Sequence, residues 1–296
     1  MNISRSAAKT ATFLALTTLF SAICYAMVIG PEPREIFALG LMLSPGLAAL
    51  LTQAAFERRV GGLGWQLGPL KTLAAGYWLP LAYGLAVYAL AWLSGAGRFS
   101  PQALADSAGY QPSVPGQAPG LFLIGYALRT ATLGVAVSCL SAFGEELGWR
   151  GLLVPELAKR YSFGATALIS GGIWALWHYP AVLFFEYNNA GAPRWFGMIC
   201  FTILVIGVSF PLAWLRLRSG SVWPAVLFHA CHNVFIQTLF TPLTAPTELS
   251  PYVIDEFGVG LALAGLGLGW WFWRKQRALP AAQLPSGSSA ARISAG

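Results

Sequence analysis

Residues 195–215 read WFGMICFTILVIGVSFPLAWL, an unbroken run without a single charged side chain. An α-helix rises 1.5 Å per residue, so a run of this length covers the roughly 30 Å hydrocarbon core of a bilayer. The composition of the whole chain agrees with that reading. Of its 296 residues 56% are hydrophobic and only 10% are charged, where a soluble protein carries about a quarter charged residues. Lipid is the simplest solvent that permits so few charges.

Working outward, eight stretches satisfy the length requirement: approximately 11–29, 36–56, 72–94, 121–146, 165–185, 195–215, 221–241 and 257–273. The last is short, but it ends in Gly269-Trp270-Trp271-Phe272-Trp273 followed by Arg274-Lys275, an aromatic belt with a positive anchor. The expected fold is all-α, a polytopic membrane helix bundle of about eight transmembrane helices. Arg5 and Lys9 ahead of the first apolar run also fit a signal peptide. That run is longer than a usual signal core and no small-x-small site closes it, so it is expected to stay as a helix.

Charge sets the expected orientation. With the N-terminus cytoplasmic, the inner segments hold Arg5, Lys9, Arg58, Arg59, Lys71, Arg150, Lys159, Arg160, Arg216, Arg218, Arg274, Lys275, Arg277 and Arg292. The outer segments hold only Arg34, Arg98 and Arg194, beside Glu32, Glu35, Asp106, Glu186, Glu248, Asp255 and Glu256. This bias puts both termini in the cytoplasm and requires an even number of spans. In a bacterium the chain would be a multi-pass protein of the inner membrane. The net charge of +7 serves orientation, because no basic stripe with interleaved aromatics marks a nucleic-acid partner. Cys24, Cys139, Cys200 and Cys231 all lie in apolar runs without CxxC spacing and read as reduced packing residues.

The chain divides into residues 1–120, with spans 1–3 and an external loop; 121–241, a core of spans 4–7; 242–275, an external loop and the last span; and a disordered cytoplasmic tail at 276–296. The loop at 95–119 is rich in Gly, Pro, Ser and Gln, and the tail has little to bury. The chain lacks an internal repeat, which argues against a transporter.

A charge at bilayer depth costs at least ~2.5 kcal/mol on insertion scales, so polar residues inside spans are functional candidates. Here they are Glu145 and Glu146 at the inner end of span 4, His178 in span 5, His229, His232 and Asn233 in span 7, and Arg129 in the outer half of span 4. Glu146 and Arg150 are i,i+4 and can pair, turning Glu145 elsewhere. Trp174 and His178 share one face, as do His229 and Asn233. The bland alternative is that each His or Asn only ties helices together through one hydrogen bond, and that Arg129 snorkels outward. One geometric tension stands. Counted along the helices, His178 lies ~20 Å past Gly164 but His229 only ~12 Å past Ser221, so span 5 must start beyond the surface or tilt.

The string Glu145-Glu146-Leu147-Gly148-Trp149-Arg150 resembles the EExxxR signature of the CPBP family, intramembrane endopeptidases that include type II CAAX prenyl proteases and abortive-infection-like proteins. Trp174-Ala175-Leu176-Trp177-His178 resembles its FxxxH motif with Trp in place of Phe, and His229-Ala230-Cys231-His232-Asn233 its HxxxN motif. The resemblance covers residues 120–240. It implies a cavity open to the cytosol and to lipid, with Glu145 as general base, His178 positioning the water, His229 and Asn233 stabilising the oxyanion, and Glu146 and Arg150 in support. It implies a peptide or lipidated-protein substrate delivered by the bilayer, such as a prenylated CAAX peptide, and hydrolysis is expected to need no cofactor. A zinc site made of Glu145, His178 and His229 is disfavoured because HExxH is lacking and Asn233 has no part in it. The competing function is a non-catalytic or bacteriocin-immunity (self-protection) membrane protein of the same family. A transporter or channel ranks last, since the polar groups fall in one inner cluster.

Overall fold

The computed structural model describes residues 3–29, 36–111, 119–185, 187 and 191–280. Among the described residues six helices are long and apolar enough to cross a membrane: α1 Ile3–Ile29, α2 Ile36–Glu57, α3 Leu70–Ser94, α4 Gly120–Ala158, α5 Phe163–Phe184 and α6 Arg194–Ser219. Two shorter ones complete the bundle, α7 Trp223–Asn233, which runs into a π-helical turn Val234–Phe240, and α8 Val259–Arg274.

The helices are apolar on the outside. Leu39, Leu43, Leu47 and Leu51 form an i,i+4 stripe on α2 and are all exposed, whereas its buried face holds Ser44, Pro45, Gly46, Ala48, Ala49, Thr52 and Gln53. Small and polar residues inside with leucine outside is how helices pack in lipid, where hydrocarbon drives no burial and close approach gives the attraction. The crossing of α2 with α4 shows that closeness. A Cβ on Gly46 would meet the Gly144 carbonyl oxygen at 2.6 Å, and one on Gly148 would meet Pro45 Cβ at 2.5 Å.

Several expectations are corrected. The fourth span does not end at 146. It continues through a π-helical stretch Leu147–Leu153 and ends at Ala158. Arg150 is therefore no loop residue but a fully buried one. The first helix begins at Ile3, and Lys9 is buried between Glu57 and Glu156, 3.4 and 3.0 Å away. The segment 95–119 is more than a loop. A two-residue strand β1, Arg98–Phe99, pairs antiparallel with β2, Thr244–Ala245, and a short helix Pro101–Ser107 follows, its N-terminus capped by Ser100 accepting from Ala103 N at 3.1 Å. At the other end, Lys275–Ala278 forms a 3-10 turn and Leu279 is buried, so the tail does not start at 276. Residues 112–118 and 281–296, Arg34, Glu32, Glu35, Glu186 and Arg292 lie outside the described residues.

The α6–α7 turn is enclosed, with Ser221 and Val222 fully buried. Loop 60–68 folds over it: Val222 N donates to Gly64 O (2.9 Å), Gln66 Nε2 to Gly220 O (2.8 Å) and Trp223 Nε1 to Trp65 O (2.8 Å). Gly64 takes φ +88°, and a Cβ there would lie 2.9 Å from Val222 N.

Candidate active site

α4, α5 and α7 meet around a cavity of about 260 Å³ whose lining includes Glu145, His178, His229 and Asn233. The carboxylates are separated by helical rotation, as their adjacency requires. Glu146 turns into the protein, where Arg150 Nη1 donates to its Oε1 at 2.7 Å, and both side chains are fully buried. Arg150 also donates to Ser209 Oγ at 3.2 Å, and its carbonyl accepts from Arg216 Nε at 2.9 Å. A buried pair held this way is costly to break, because removing one partner strands the other charge at about 3–5 kcal/mol.

Glu145 faces the cavity. Its Oε2 accepts from Trp174 Nε1 at 2.8 Å and, at a longer 3.4 Å, from Trp149 Nε1. The tryptophan that stands where the family motif has phenylalanine is thus central. Besides holding Glu145, its ring lies 4.2 Å beneath the Arg150 guanidinium carbon, a cation–π contact. It also packs edge-on against His178 and His229, with centroids 5.8 and 5.2 Å apart.

Both imidazoles have one nitrogen committed. His178 Nδ1 lies 2.9 Å from the Trp174 carbonyl oxygen, one turn back on the same helix. A carbonyl only accepts, so Nδ1 carries the proton and Nε2 is left with a lone pair in the neutral ring. His229 Nδ1 lies 3.0 Å from Glu146 Oε1, and the same logic makes it a donor. His229 Nε2 can then donate only if the ring is cationic. Asn233, half-buried, lines the cavity where α7 passes into its π-helical turn, and π turns are common at functional sites. Among the described residues no three His, Cys, Asp or Glu side chains gather closely enough to hold a metal ion, and all four cysteines are free thiols.

Glu256 was missed. The sequence puts it in a loop on the opposite side, yet it is buried, lines the same cavity, and accepts from His232 Nε2 at 2.8 Å. The polar lining consequently runs from α4 to the turn before α8 and is not confined to one inner cluster. Two grooves adjoin the cavity. One, of about 770 Å³, lies between α1 and α5, and shares Tyr25 and Trp177 with it as a common wall. Tyr25 donates to the Trp177 carbonyl and Trp177 Nε1 to Ser21 Oγ, each at 2.7 Å. The other groove joins through Asn233 and Gln237 and holds Arg129, which is exposed with its guanidinium carbon 5.3 Å over the Tyr126 ring.

Sequence comparison points to the same helices. Residues 127–235 match the family described as type II CAAX prenyl endopeptidase Rce1-like, a stretch that contains all three motifs. The CAAX prenyl protease 2 of Methanococcus maripaludis is 33% identical over 100 residues, which is 32% of this chain and 36% of that protein. The chain therefore covers well under two thirds of that relative's length.

Proposed function

We propose that the chain is an intramembrane endopeptidase of the Rce1-like, CPBP type, a reading supported by the match of residues 127–235 to that family, and that it hydrolyses a peptide bond of a membrane-delivered substrate through a water activated by Glu145. The observation that carries this reading is the sharing of one cavity by Glu145, His178, His229 and Asn233.

The chemistry follows from the committed atoms. Oε2 of Glu145 is held by the two indoles, which leaves Oε1 to take a proton from water. His178 Nε2 accepts the second hydrogen of that water and orients it. As the water oxygen adds to the carbonyl carbon, the carbonyl oxygen becomes an oxyanion facing Asn233 and His229 Nε2. The C–N bond then breaks and Glu145 returns its proton to the departing amine. A positioned base contributes about 10²–10⁴-fold and a single oxyanion donor about 10²–10³-fold. Glu146, buried and bound to Arg150, favours the cationic His229 that such donation requires.

The substrate proposed is a peptide or lipidated protein, with a prenylated CAAX-type C-terminus as the form suggested by the relative's name. The apolar groove between α1 and α5 supports lateral delivery, because a lipid chain lying there reaches the cavity at the Tyr25–Trp177 wall. The lopsided basic charge supports a cavity opening toward the cytoplasm, with both termini on that side.

The test is cleavage of prenylated and unmodified CAAX-type peptides in vesicles carrying wild type or Glu145→Gln. Loss of cleavage in a folded variant supports the base role; unchanged cleavage returns the chain to the non-catalytic, immunity-type alternative. We also propose that no metal takes part. Chelation should leave the rate unchanged, and full inhibition reversed by zinc would overturn that proposal.

A further inference from the structure

Glu256 sits in the turn between the short helix Ser250–Val253 and α8, and the turn is built to aim it inward. Asp255 adopts φ +67°, a left-handed conformation that costs any residue with a Cβ, though Asp less than most. It is held there by its own contacts. Its backbone N–H donates to Tyr88 Oη at 3.2 Å, Thr241 Oγ1 donates to its Oδ2 at 3.1 Å, and its Oδ1 accepts from Glu256 N at 2.6 Å.

Once inside, Glu256 ends a directed chain. Tyr83 hydrogen-bonds His232 Nδ1, and His232 Nε2 lies 2.8 Å from Glu256 Oε1. With Nε2–H donating to the carboxylate, a neutral ring must accept from the Tyr83 hydroxyl at Nδ1, so the chain runs in one direction. The second carboxylate oxygen, Oε2, accepts from Tyr187 Oη at 2.6 Å. Tyr187 in turn stacks on the His178 ring, centroids 6.2 Å apart at 26°, and braces edge-on against Phe201 and Phe257. His178 therefore has its own helix on one side and, on the other, an aromatic ring whose hydroxyl is pinned by a buried acid from a different element.

We infer that Glu256 is a positioning residue of the hydrolytic site, which together with His232 fixes the Tyr187 ring against His178 and so fixes the direction of His178 Nε2. This rests on the proposed endopeptidase reading and deepens it. It gives His232 a role that is neither packing nor catalysis, and it ties the turn at 254–258 to the motif on α5.

The test compares Tyr187→Phe, Glu256→Ala and Glu256→Asp with wild type and Glu145→Gln in the full-length protein in vesicles. It reads kcat and KM for the cleaved peptide, together with the thermal midpoint of each variant. Tyr187→Phe keeps the ring and removes only the hydroxyl that Glu256 holds. Positioning predicts a fall in kcat of about ten- to a hundredfold with KM within twofold, read well below the melting range, where the lower midpoint expected from the lost hydrogen bond leaves the protein folded. It also predicts that Glu256→Asp recovers part of what Glu256→Ala loses. Wild-type kcat in Tyr187→Phe, or losses that simply track a lowered midpoint, would overturn the inference while an inactive Glu145→Gln left the parent reading standing. Wild-type activity in Glu145→Gln would instead overturn the parent reading.

Discussion

The indole of Trp174 donates to Glu145 Oε2 at 2.8 Å, from a position where the family motif has a phenylalanine that cannot donate. A hydrogen bond to a charged group is worth roughly 1.5–3 kcal/mol, and about 1.4 kcal/mol is tenfold in rate. Trp174→Phe keeps an aromatic ring beneath Arg150 and removes the donor. We expect kcat for peptide cleavage to fall about tenfold or more with the fold intact. Steady-state kinetics beside a thermal melt checks this, and an unchanged kcat would show that Trp149 alone suffices to hold the carboxylate.

Glu146 touches no substrate in the proposed mechanism, yet its loss should be severe. It anchors both Arg150 (2.7 Å) and His229 Nδ1 (3.0 Å). In Glu146→Gln the side-chain oxygen can still accept from one of them, but the negative charge that favours a cationic His229 is gone and Arg150 loses the counter-charge it is hydrogen-bonded to. Activity should drop at least a hundredfold, in line with removal of an oxyanion donor, and stability by about 3–5 kcal/mol. Glu145→Gln should lose comparable activity with far less stability. Denaturation in mixed micelles separates the two carboxylates, and equal destabilisation by both would contradict the division of roles.

What could be read from the chain follows from what lipid tolerates. The spans were legible because Leu39, Leu43, Leu47 and Leu51 have to face hydrocarbon. The polar residues of α4, α5 and α7 stood out because charge is expensive at that depth. Two features were hidden for the same reason, that tertiary pairing alters what a residue means. Arg150 reads as the end of a span, but paired with Glu146 it lets α4 continue to Ala158. Glu256 reads as a solvated loop acid, and nothing local marks it as buried. Only the left-handed turn at Asp255 and the distant His232 bring it into the cavity.

The α2–α4 crossing should be intolerant of even one methyl group. A Cβ at Gly148 would lie 2.5 Å from Pro45 Cβ and 2.7 Å from its carbonyl carbon and oxygen, so the backbones would have to part just beside Glu145 and Glu146. Overpacking of this kind costs about 1–3 kcal/mol. Gly148→Ala should lower the thermal midpoint and reduce cleavage together. Gly172→Ala, where a Cβ meets nothing within 4 Å, is the matched control and should change neither.

The turn before α8 also predicts how stability responds to acid. Burial alone would raise the Glu256 carboxyl, but the hydrogen bonds it accepts from His232, the Tyr187 hydroxyl and Gln237 bring it down from 4.5 to about 2. A depressed acid stabilises the fold fully above its unfolded value, and that contribution fades as pH falls from 4.5 through about 2. Its neighbour Asp255 is raised, by burial first and then by the charge of Glu256. An acid so placed works the other way, since its protonation on acidification relieves a cost, and it offsets part of the loss. The net expectation is a decline in stability below pH 4.5 carried by Glu256. Unfolding midpoints in micelles between pH 5 and pH 2.5 should fall for wild type, and the fall should be shallower in Glu256→Gln, where the contribution of Glu256 is gone while that of Glu156, ion-paired with Lys159 and Lys9, is unchanged. An identical acid dependence in both proteins would mean that Glu256 is not the group holding the turn in its charged form.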